Sequence, residues 1–351
     1  MIRANRVFLF LLTLVALASL AQTTCDRYTP SNTTPKPYTC TGTPGTCLRV
    51  SDGWTYEGVV LSQGQTGNGG SDPFVLHLDD GRYRIYYAVA DKPDDPDWWG
   101  MVSWVSDDGL NFTKETGYRF EAYMIFGHCI VRNPDGSYRM YWVDQKQGFV
   151  NNQGNKAIKS ALSTDGGWTF VADPGERLTY SGTGYEVNGI GGVRVILLSN
   201  GQFRMYYGGS SDYTRTLSAI SSDGLDFVRE DGVRLDKLCP PEGGAPGITL
   251  IIDALGTFHT FTRATLCTGN YENARAGLFD GTTTDGLAIN IASSPFVQGY
   301  SKDGTLANQV EPEDFTVVQT PEGLRVYFIL YNAGKFIPET ALYSVINTSI
   351  K

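Results

Sequence analysis

Two aspartates occupy the same position in a repeated sequence pattern and could act as a carboxylate pair. Asp72 lies nine residues before the turn glycine Gly81, and Asp314 lies nine residues before the turn glycine Gly323. Glu313 directly precedes Asp314. Two carboxyl groups that flank a glycosidic bond can cleave it, because one protonates the leaving oxygen and the other serves as base or nucleophile. These residues are therefore the first candidates for catalysis.

Other residues near these positions could support binding or catalysis. The residues equivalent to Asp72 in three other copies of the pattern are Gly127, Gly192 and Gly247. His128 follows the first of these glycines, and Glu186 precedes the second within GTGYEVNGIGG. Trp98 and Trp99, in DDPDWWG, are paired tryptophans that could line a sugar subsite. Structural interpretations remain open as well: the first aspartate could cap a turn before its proline, the acidic EPED run could be a solvated loop, and the histidine could be a core residue.

Two turn signals recur along the chain and predict the elements that position these residues. The first is Ser-x-Asp-Gly-x-x-Phe or a close variant, in SDGWTY, SDDGLNF, STDGGWTF, SSDGLDF and the weaker TTDGLAI, with aspartates spaced by 56, 57, 58 and 62 residues. The second is a turn followed by alternating aromatic residues, in DGRYRIYY, DGSYRMYW and NGQFRMYY, with weaker copies LGTFHTF and EGLRVYF. A short apolar run precedes each copy of the second signal, and no segment shows a sustained helical period. Each unit therefore predicts four strands.

Five units of four strands predict an all-β fold, a five-bladed β-propeller of four-stranded antiparallel blades. The last unit contains three strands before Lys351, whereas WTYEGVVL at residues 54–61 precedes any complete unit. We therefore expect this N-terminal strand to be the outer strand of the fifth blade, which would also protect sheet edges. The leading ends of the inner strands surround the axis of a propeller. Asp72 and Asp314 should therefore be neighbours in its central depression.

The repeated residues themselves are interpreted as structural. The turn aspartates should accept hydrogen bonds from backbone N–H groups of their own turns, and the turn glycines should adopt positive φ. The aromatic residues that follow (Phe112, Phe170 and Phe227) and those of the Tyr-Arg strands should pack between blades.

Parts of the chain resemble known propeller families. STDGGWTF resembles the Asp-box of sialidase-like propellers, and SDPFVLHLDDGRYRIYYA resembles the first blade of glycoside hydrolase family 43 and its relatives in families 32 and 68. This resemblance, which covers most of the chain from about residue 50, implies an axial active site. In the family pattern the base is an Asp that opens the first blade, which Asp72 matches, and the acid is a Glu before the third inner strand, for which Glu186 is the available match. The family's second Asp corresponds here to Gly127 and His128, so that Asp314 or His128 would have to replace it.

Three functions are compatible with these features. The leading hypothesis is a secreted glycoside hydrolase that cleaves a polysaccharide or oligosaccharide. Its predicted catalytic residues are Asp72, Glu186 and Asp314. Its predicted substrate-binding residues are His128, Glu313, Trp98 and Trp99. The alternatives are a non-catalytic glycan-binding or surface-interaction propeller and a sialidase-like exo-glycosidase, which would need an arginine cluster and a sixth blade.

The N-terminal residues predict export. Arg3 and Arg6 precede an apolar run that is too short to span a bilayer comfortably, so residues 1–21 are predicted to be a signal peptide. Residues 22–47 form a Thr- and Pro-rich leader, and residues 48–351 form the propeller domain. The expected location is secreted or periplasmic, without a membrane span.

Export favours disulfides among the six cysteines. We expect a Cys239–Cys267 bond, which would bracket one loop and strand pair. The remaining alternatives are a pairing among Cys25, Cys40 and Cys47, with Cys129 either a buried thiol or their partner. The formal net charge of −9 makes nucleic acid an unfavourable partner. The expected partner is a carbohydrate bound by a monomer, with no cofactor and no metal ligand set.

Overall fold

The computed structural model describes residues 39–40, 46–62, 65, 71–90, 98–145, 156–212, 214–236, 248–253, 256–266, 275–301, 310–332 and 341–350. The predicted signal peptide and the predicted Cys239–Cys267 bond lie outside these residues. Cys129 is a buried free thiol.

Strands make up nearly all the regular structure. Three of them precede the first complete blade: β1 (Thr39–Cys40), β2 (Thr46–Val50) and β3 (Thr55–Leu61). Blade one contains β4 (Ser71–His77), β5 (Tyr83–Val89), β6 (Trp98–Ser106), β7 (Thr113–Lys114) and β8 (Phe120–Tyr123). Blade two contains β9 (Ile125–Arg132), β10 (Tyr138–Gln145), β11 (Lys156–Ser163), β12 (Val171–Ala172) and β13 (Leu178–Thr179).

The other three blades follow the same order. A 3₁₀ turn (Gly184–Glu186) precedes blade three, which contains β14 (Gly189–Leu197), β15 (Phe203–Ser210), β16 (Thr214–Ser221) and β17 (Val228–Arg229). Blade four contains β18 (Ile248–Ile252), β19 (Phe258–Leu266), β20 (Arg275–Thr283), β21 (Asn290–Ile291) and β22 (Val297–Ser301). Blade five contains β23 (Val310–Gln319), β24 (Leu324–Asn332) and β25 (Leu342–Asn347).

These sheets confirm the predicted all-β class and the five-bladed propeller. In each blade the strand order runs from an inner strand outward, and every strand pairing is antiparallel. The described residues contain no α-helix. The N-terminal strand β3 pairs with β25 and is the fourth strand of blade five. β2 pairs with β22, so the N-terminal segment also extends blade four.

The two repeated turn signals meet at the interfaces between blades. In blade one, Arg84 Nη1 donates to the carbonyl oxygen of Gly166 (3.0 Å) and Tyr86 Oη donates to that of Gly167 (2.9 Å), both in the Asp-Gly turn of blade two. We call this pair of bonds a turn contact. Equivalent turn contacts are made by Arg139 and Tyr141, Arg204 and Tyr206, and Arg325 and Tyr327. The turn contacts explain why the two signals alternate along the chain, since each supplies one side of an interface.

The turn aspartates are bound within their own turns, as the sequence predicts. Asp108 Oδ1 accepts hydrogen bonds from the backbone N–H groups of Leu110 and Asn111, both at 2.8 Å. Phe112, at the end of this turn, packs edge-on against Tyr327 of blade five with ring centroids 6.2 Å apart. The repeated residues therefore position the blades, which leaves the inner strand ends as the place to look for a site.

A third repeat holds the arginine in three of the four turn contacts, and Glu57 pairs with Arg325 in the fourth. Arg84 forms an ion pair with Glu115 (2.8 Å), and Ser103 donates to the same carboxylate (2.7 Å). Glu115 begins the segment ETGYR, and matching segments are DPGER and EDGVR, whose first residues pair with Arg139 and Arg204. These buried pairs fix each arginine before it reaches the next blade.

Candidate active site

Irregularities at the leading ends of the inner strands create the axial site. The pairing of β4, β9, β14 and β23 with the next strand is interrupted by a register shift near the start of each inner strand. The residues at these shifts are Asp72, Gly127, Gly192 and Asp314. All four line one cavity, as expected from their equivalent positions in the repeat. Gly247, the fifth equivalent residue, lies outside the described residues.

Asp72 is held in a backbone conformation that its glycine equivalents adopt without strain. Its φ is 54°, compared with 52° at Gly127 and 45° at Gly192. Asp72 and Met124 are the two non-glycine residues with positive φ in the described part of the chain. This region costs a residue with a side chain roughly 1–2 kcal/mol. Such strain is frequent at functional sites, where the surrounding structure holds it.

The axial aspartates are in direct contact across blades one and five. The backbone N–H of Asp72 donates to Oδ2 of Asp314 (3.3 Å), and the backbone N–H of Gly127 donates to Oδ2 of Asp72 (3.0 Å). Burial, followed by the negative charges of Asp72 and Glu313, raises the pKa of Asp314 to about 7. Asp314 therefore keeps its proton to a higher pH than an ordinary aspartate does, which suits a general acid.

The glycine side of the axis has no room for a carboxylate. A Cβ atom on Gly127 would lie 2.9 Å from Cα of Gly192, and the positive φ of Gly127 disfavours a side chain in any case. The backbones of blades two and three are thus packed too closely for a side chain at Gly127.

Two arginines in the cavity were not predicted from the sequence. Arg194 and Arg263 line it together with the acidic residues. Arg263 of blade four forms ion pairs with Glu311 (3.0 Å) and with Glu313 of blade five. Burial still raises the pKa of Glu313, although Arg263 opposes this shift. Arg194 could have been suspected, because it interrupts an otherwise apolar inner strand, GGVRVILL.

Glu186 lies in a separate, buried cluster. Its carboxylate accepts hydrogen bonds from Tyr207 Oη (2.7 Å), Arg229 Nε (2.8 Å) and the backbone N–H of Ser181 (3.0 Å). Burial acts to raise the pKa of Glu186, but these hydrogen bonds outweigh it and leave the pKa lowered. Glu186 is not among the described residues that line the axial cavity. The structure therefore groups Asp72 with Asp314 and Glu313, and Glu186 with Arg229.

The remaining predicted site residues lie beside the cavity. His128 is fully buried next to Phe74, with ring centroids 6.4 Å apart, and burial followed by the charge of Arg194 lowers its pKa to about 3. It is therefore neutral, as a core histidine would be. Trp98 and Trp99 begin β6 and are half-buried, and the Trp99 ring contacts Phe126 with centroids 4.9 Å apart. None of these three side chains is among the described residues that line the cavity.

The cavity is small and is lined by acidic and basic side chains. Its volume of about 120 Å³ is below the roughly 300–1,000 Å³ of sites that enclose drug-sized ligands. It could therefore admit the reacting end of a carbohydrate rather than a whole oligosaccharide. In the described part of the chain, no group of three or more His, Cys, Asp or Glu residues could hold a metal ion. That part also contains no helix long and apolar enough to cross a membrane.

Similarity to known proteins is found at the level of structure. No family model matches the sequence, and no curated protein matches it. A structure described as a glycoside hydrolase superposes with a TM-score of 0.63 at 10% identity, over 82% of this chain and 90% of that chain. A thermostable family-43 glycoside hydrolase gives a TM-score of 0.57 at 13% identity, over 78% and 88%. For the GH93 α-L-arabinofuranosidase of Fusarium graminearum with arabinobiose, the TM-score is 0.53 at 11% identity, over 84% and 98%. At these identities the likeness establishes a shared fold.

Proposed function

We propose that the protein is a secreted glycoside hydrolase that acts at the propeller axis. The observation that carries this proposal is the proximity of Asp72 and Asp314 from neighbouring blades: the backbone N–H of Asp72 donates to the Asp314 carboxylate, and burial with the charge of Asp72 raises the pKa of Asp314 to about 7. Pairs of titratable groups whose environments separate their pKa values are typical of acid–base catalysis. The strained backbone of Asp72 and the similarity in fold to several glycoside hydrolases support the same function.

In this proposal Asp72 is the base or nucleophile and Asp314 is the general acid. Asp72 accepts the N–H of Gly127, and a hydrogen bond donated to a carboxylate favours its ionised form. Asp314 is buried against Asp72, which favours its protonated form. Glu186, the acid predicted from the family pattern, is bound to Arg229 and has a lowered pKa. Its catalytic role therefore remains a sequence-based prediction that the same experiment tests.

A non-catalytic carbohydrate-binding propeller is the second candidate. The observation that favours it is Gly127, where the family pattern places a further catalytic Asp. A sialidase-like enzyme receives less support. The two arginines of the described cavity are engaged, Arg263 by Glu311 and Glu313 and Arg194 by backbone oxygens, so neither is available to a substrate carboxylate.

The test is an assay of the secreted protein on arabinan, xylan and fructan with four matched variants. Asp72→Asn and Asp314→Asn should each lower the rate by about 10²–10⁴-fold, as expected for loss of one acid–base group. Asp107→Asn, at an exposed turn, is the control and should retain full activity. Glu186→Gln should lose as much as Asp72→Asn if it is catalytic, whereas a lowered melting temperature with full activity would assign it a structural role.

The outcomes separate the two candidate functions. If the wild type releases sugar and both axial variants do not, the hydrolase proposal holds. If the wild type cleaves none of the polymers but binds one of them, and Asp72→Asn weakens that binding, the carbohydrate-binding alternative replaces it. Full activity in both axial variants would show that neither Asp72 nor Asp314 is catalytic.

A further inference from the structure

Arg194 contacts three other blades from a single position beside the axial cavity. It lies in β14 of blade three and lines the cavity. Its Nη1 donates to the carbonyl oxygens of His128 (3.0 Å) and Gly127 (3.4 Å) in blade two. Its Nη2 donates to the carbonyl oxygen of Phe315 in blade five (3.4 Å), and its Nε donates to Oγ1 of Thr249 in blade four (3.2 Å). One guanidinium is thus held in place by acceptors from separate blades.

One of these acceptors belongs to the strand that carries Asp314, and another belongs to the glycine that donates to the carboxylate of Asp72. Phe315 directly follows Asp314 in β23. Gly127 donates its N–H to Asp72 while its carbonyl oxygen accepts from Arg194. Removal of the guanidinium would release both segments and would change the separation of the two carboxyl groups. Because a misplacement of about 1 Å can cost 10²-fold in rate, this change would be visible in catalysis.

We propose that Arg194 is a positioning residue of the axial site. Its guanidinium holds the strand that carries Asp314 and the Gly127 backbone that binds the Asp72 carboxylate, and it places a permanent positive charge beside the cavity. Arginine is suited to this role, since its planar group carries five donors and stays charged at every accessible pH. The kinetic consequence rests on the proposed function, whereas the effect on carboxyl titration does not.

The charge of Arg194 lowers the pKa of Asp314, which has both acidic and basic groups around it. The charged and titratable groups around Asp314 are Asp72, Glu313, Glu311, Arg194, Arg263 and His128. Burial and the neighbouring carboxylates raise the pKa of Asp314, whereas the Asp72 N–H and Arg194 lower it. Arg263 forms ion pairs with glutamates, whereas Arg194 donates to uncharged oxygens of the described residues. Loss of the Arg194 charge should therefore allow the pKa of Asp314 to rise further.

The experiment compares Arg194→Lys, which keeps the charge, with Arg194→Gln, which removes it. The first readout is the ¹³C titration of aspartate carboxyl groups by NMR, with the Asp314 signal assigned by its absence in Asp314→Asn. Arg194→Gln should move the Asp314 midpoint upward by up to about 1 pH unit, and Arg194→Lys should leave it near the wild-type value. Arg204→Lys is the matched control, because Arg204 also donates to a carbonyl oxygen of another blade, but in a turn contact.

The second readout is steady-state kinetics on the substrate found for the wild type. Both Arg194 variants should lower kcat by about 10–10²-fold with a smaller change in KM, because neither can hold the Phe315 and Gly127 backbones together. In Arg194→Gln the basic limb of the pH–rate profile should move in the same direction as the NMR midpoint. Arg204→Lys should change the melting temperature and leave kcat, KM and the pH profile unchanged.

Each outcome decides the inference. An unchanged Asp314 midpoint in folded Arg194→Gln, or an equal shift in Arg204→Lys, would overturn it. If Arg194→Gln does not fold, Arg194→Lys decides alone: reduced kcat at an unchanged midpoint supports the positioning role, and a lower melting temperature with wild-type kcat refutes it. If the wild type proves inactive, the proposed function fails while the NMR comparison still tests Arg194.

Discussion

The turn contacts and the axial positions belong to the same five-fold repeat, but residue types are kept at the turn contacts and differ at the axis. At the turn contacts the same residue types recur, with tyrosines such as Tyr86 and Tyr206 donating to equivalent turn carbonyl oxygens. At the axis the equivalent positions diverge into Asp72 and Asp314 on one side and glycines on the other. The sequence repeats where each blade interface must form the same contacts. The site is therefore found where the repeat is broken.

At the interface of blade four, aromatic packing takes the place of the hydrogen bond that the tyrosine makes in a turn contact. In blade four the position of the donor tyrosine is taken by Phe261, which has no hydroxyl group. Trp54 of the N-terminal segment packs there instead, stacked on Phe296 at 4.3 Å and edge-on to Phe261 at 6.1 Å. Aromatic packing, together with the added strand β2, thus serves the interface at which both ends of the propeller meet.

The largest effect on the axial side is expected from filling the glycine positions. Gly127→Ala should destabilise the protein by about 2–4 kcal/mol, because the new Cβ meets the backbone of Gly192 in a strained conformation. Gly201→Ala is the control, since Gly201 also has a positive φ but opens into free space, and it should cost only the conformational part. Urea unfolding measures both values, and equal costs would disprove close packing at the axis.

The contributions of the axial residue Asp314 and of the turn residue Asp223 to stability should depend on pH in opposite directions. The folded pKa of Asp314 is raised to about 7, so its contribution is fully present below about pH 4 and is lost as pH rises through 7, by at most about 1.4 kcal/mol per unit. Backbone hydrogen bonds at Asp226 and Leu225 lower the pKa of the turn residue Asp223, whose contribution is lost as pH falls below about 4. Melting temperatures of Asp314→Asn and Asp223→Asn should be compared with the wild type from below pH 4 to above pH 7. The difference from the wild type should change between about pH 4 and 7 for Asp314→Asn and below about pH 4 for Asp223→Asn, and the two changes should have opposite signs. Changes of the same sign would contradict this assignment.

At a turn contact, loss of one hydroxyl group should affect stability and spare activity. Tyr86→Phe removes a buried bond to the carbonyl oxygen of Gly167 and should cost about 1–1.5 kcal/mol. The exposed Tyr118→Phe should stay within about 0.5 kcal/mol. Chemical denaturation together with an activity assay at low temperature checks this prediction. A rate loss in Tyr86→Phe without unfolding would mean that turn contacts also shape the axis.

The smallest expected effect isolates the strain at Asp72. Neither Asp72→Ala nor Asp72→Gly carries a carboxylate, but glycine adopts a φ of 54° without penalty. The glycine variant should therefore be more stable than the alanine variant by about 1 kcal/mol, the reverse of the usual order in a strand. Thermal unfolding of the pair measures the difference, and greater stability of the alanine variant would remove the evidence for strain.

The sequence alone predicted the fold and the positions that surround the axis, because turn chemistry is local. Asp-Gly turns and alternating aromatic residues depend on neighbours a few residues away, so five copies identify five blades and align their inner strands. The same alignment placed Asp72 and Asp314 at equivalent positions, and the structure brings them to one cavity.

Only the tertiary structure decided what surrounds these aspartates. Arg194 donates to acceptors in three other blades, and Gly127 contacts Gly192 across a blade interface. These contacts join residues that are tens to more than a hundred positions apart in the sequence. Glu186 was predicted from the sequence to be the catalytic acid, yet Arg229 and Tyr207 bind its carboxylate and it does not line the cavity. Protonation and access depend on burial and on charges from separate blades, which no local pattern encodes.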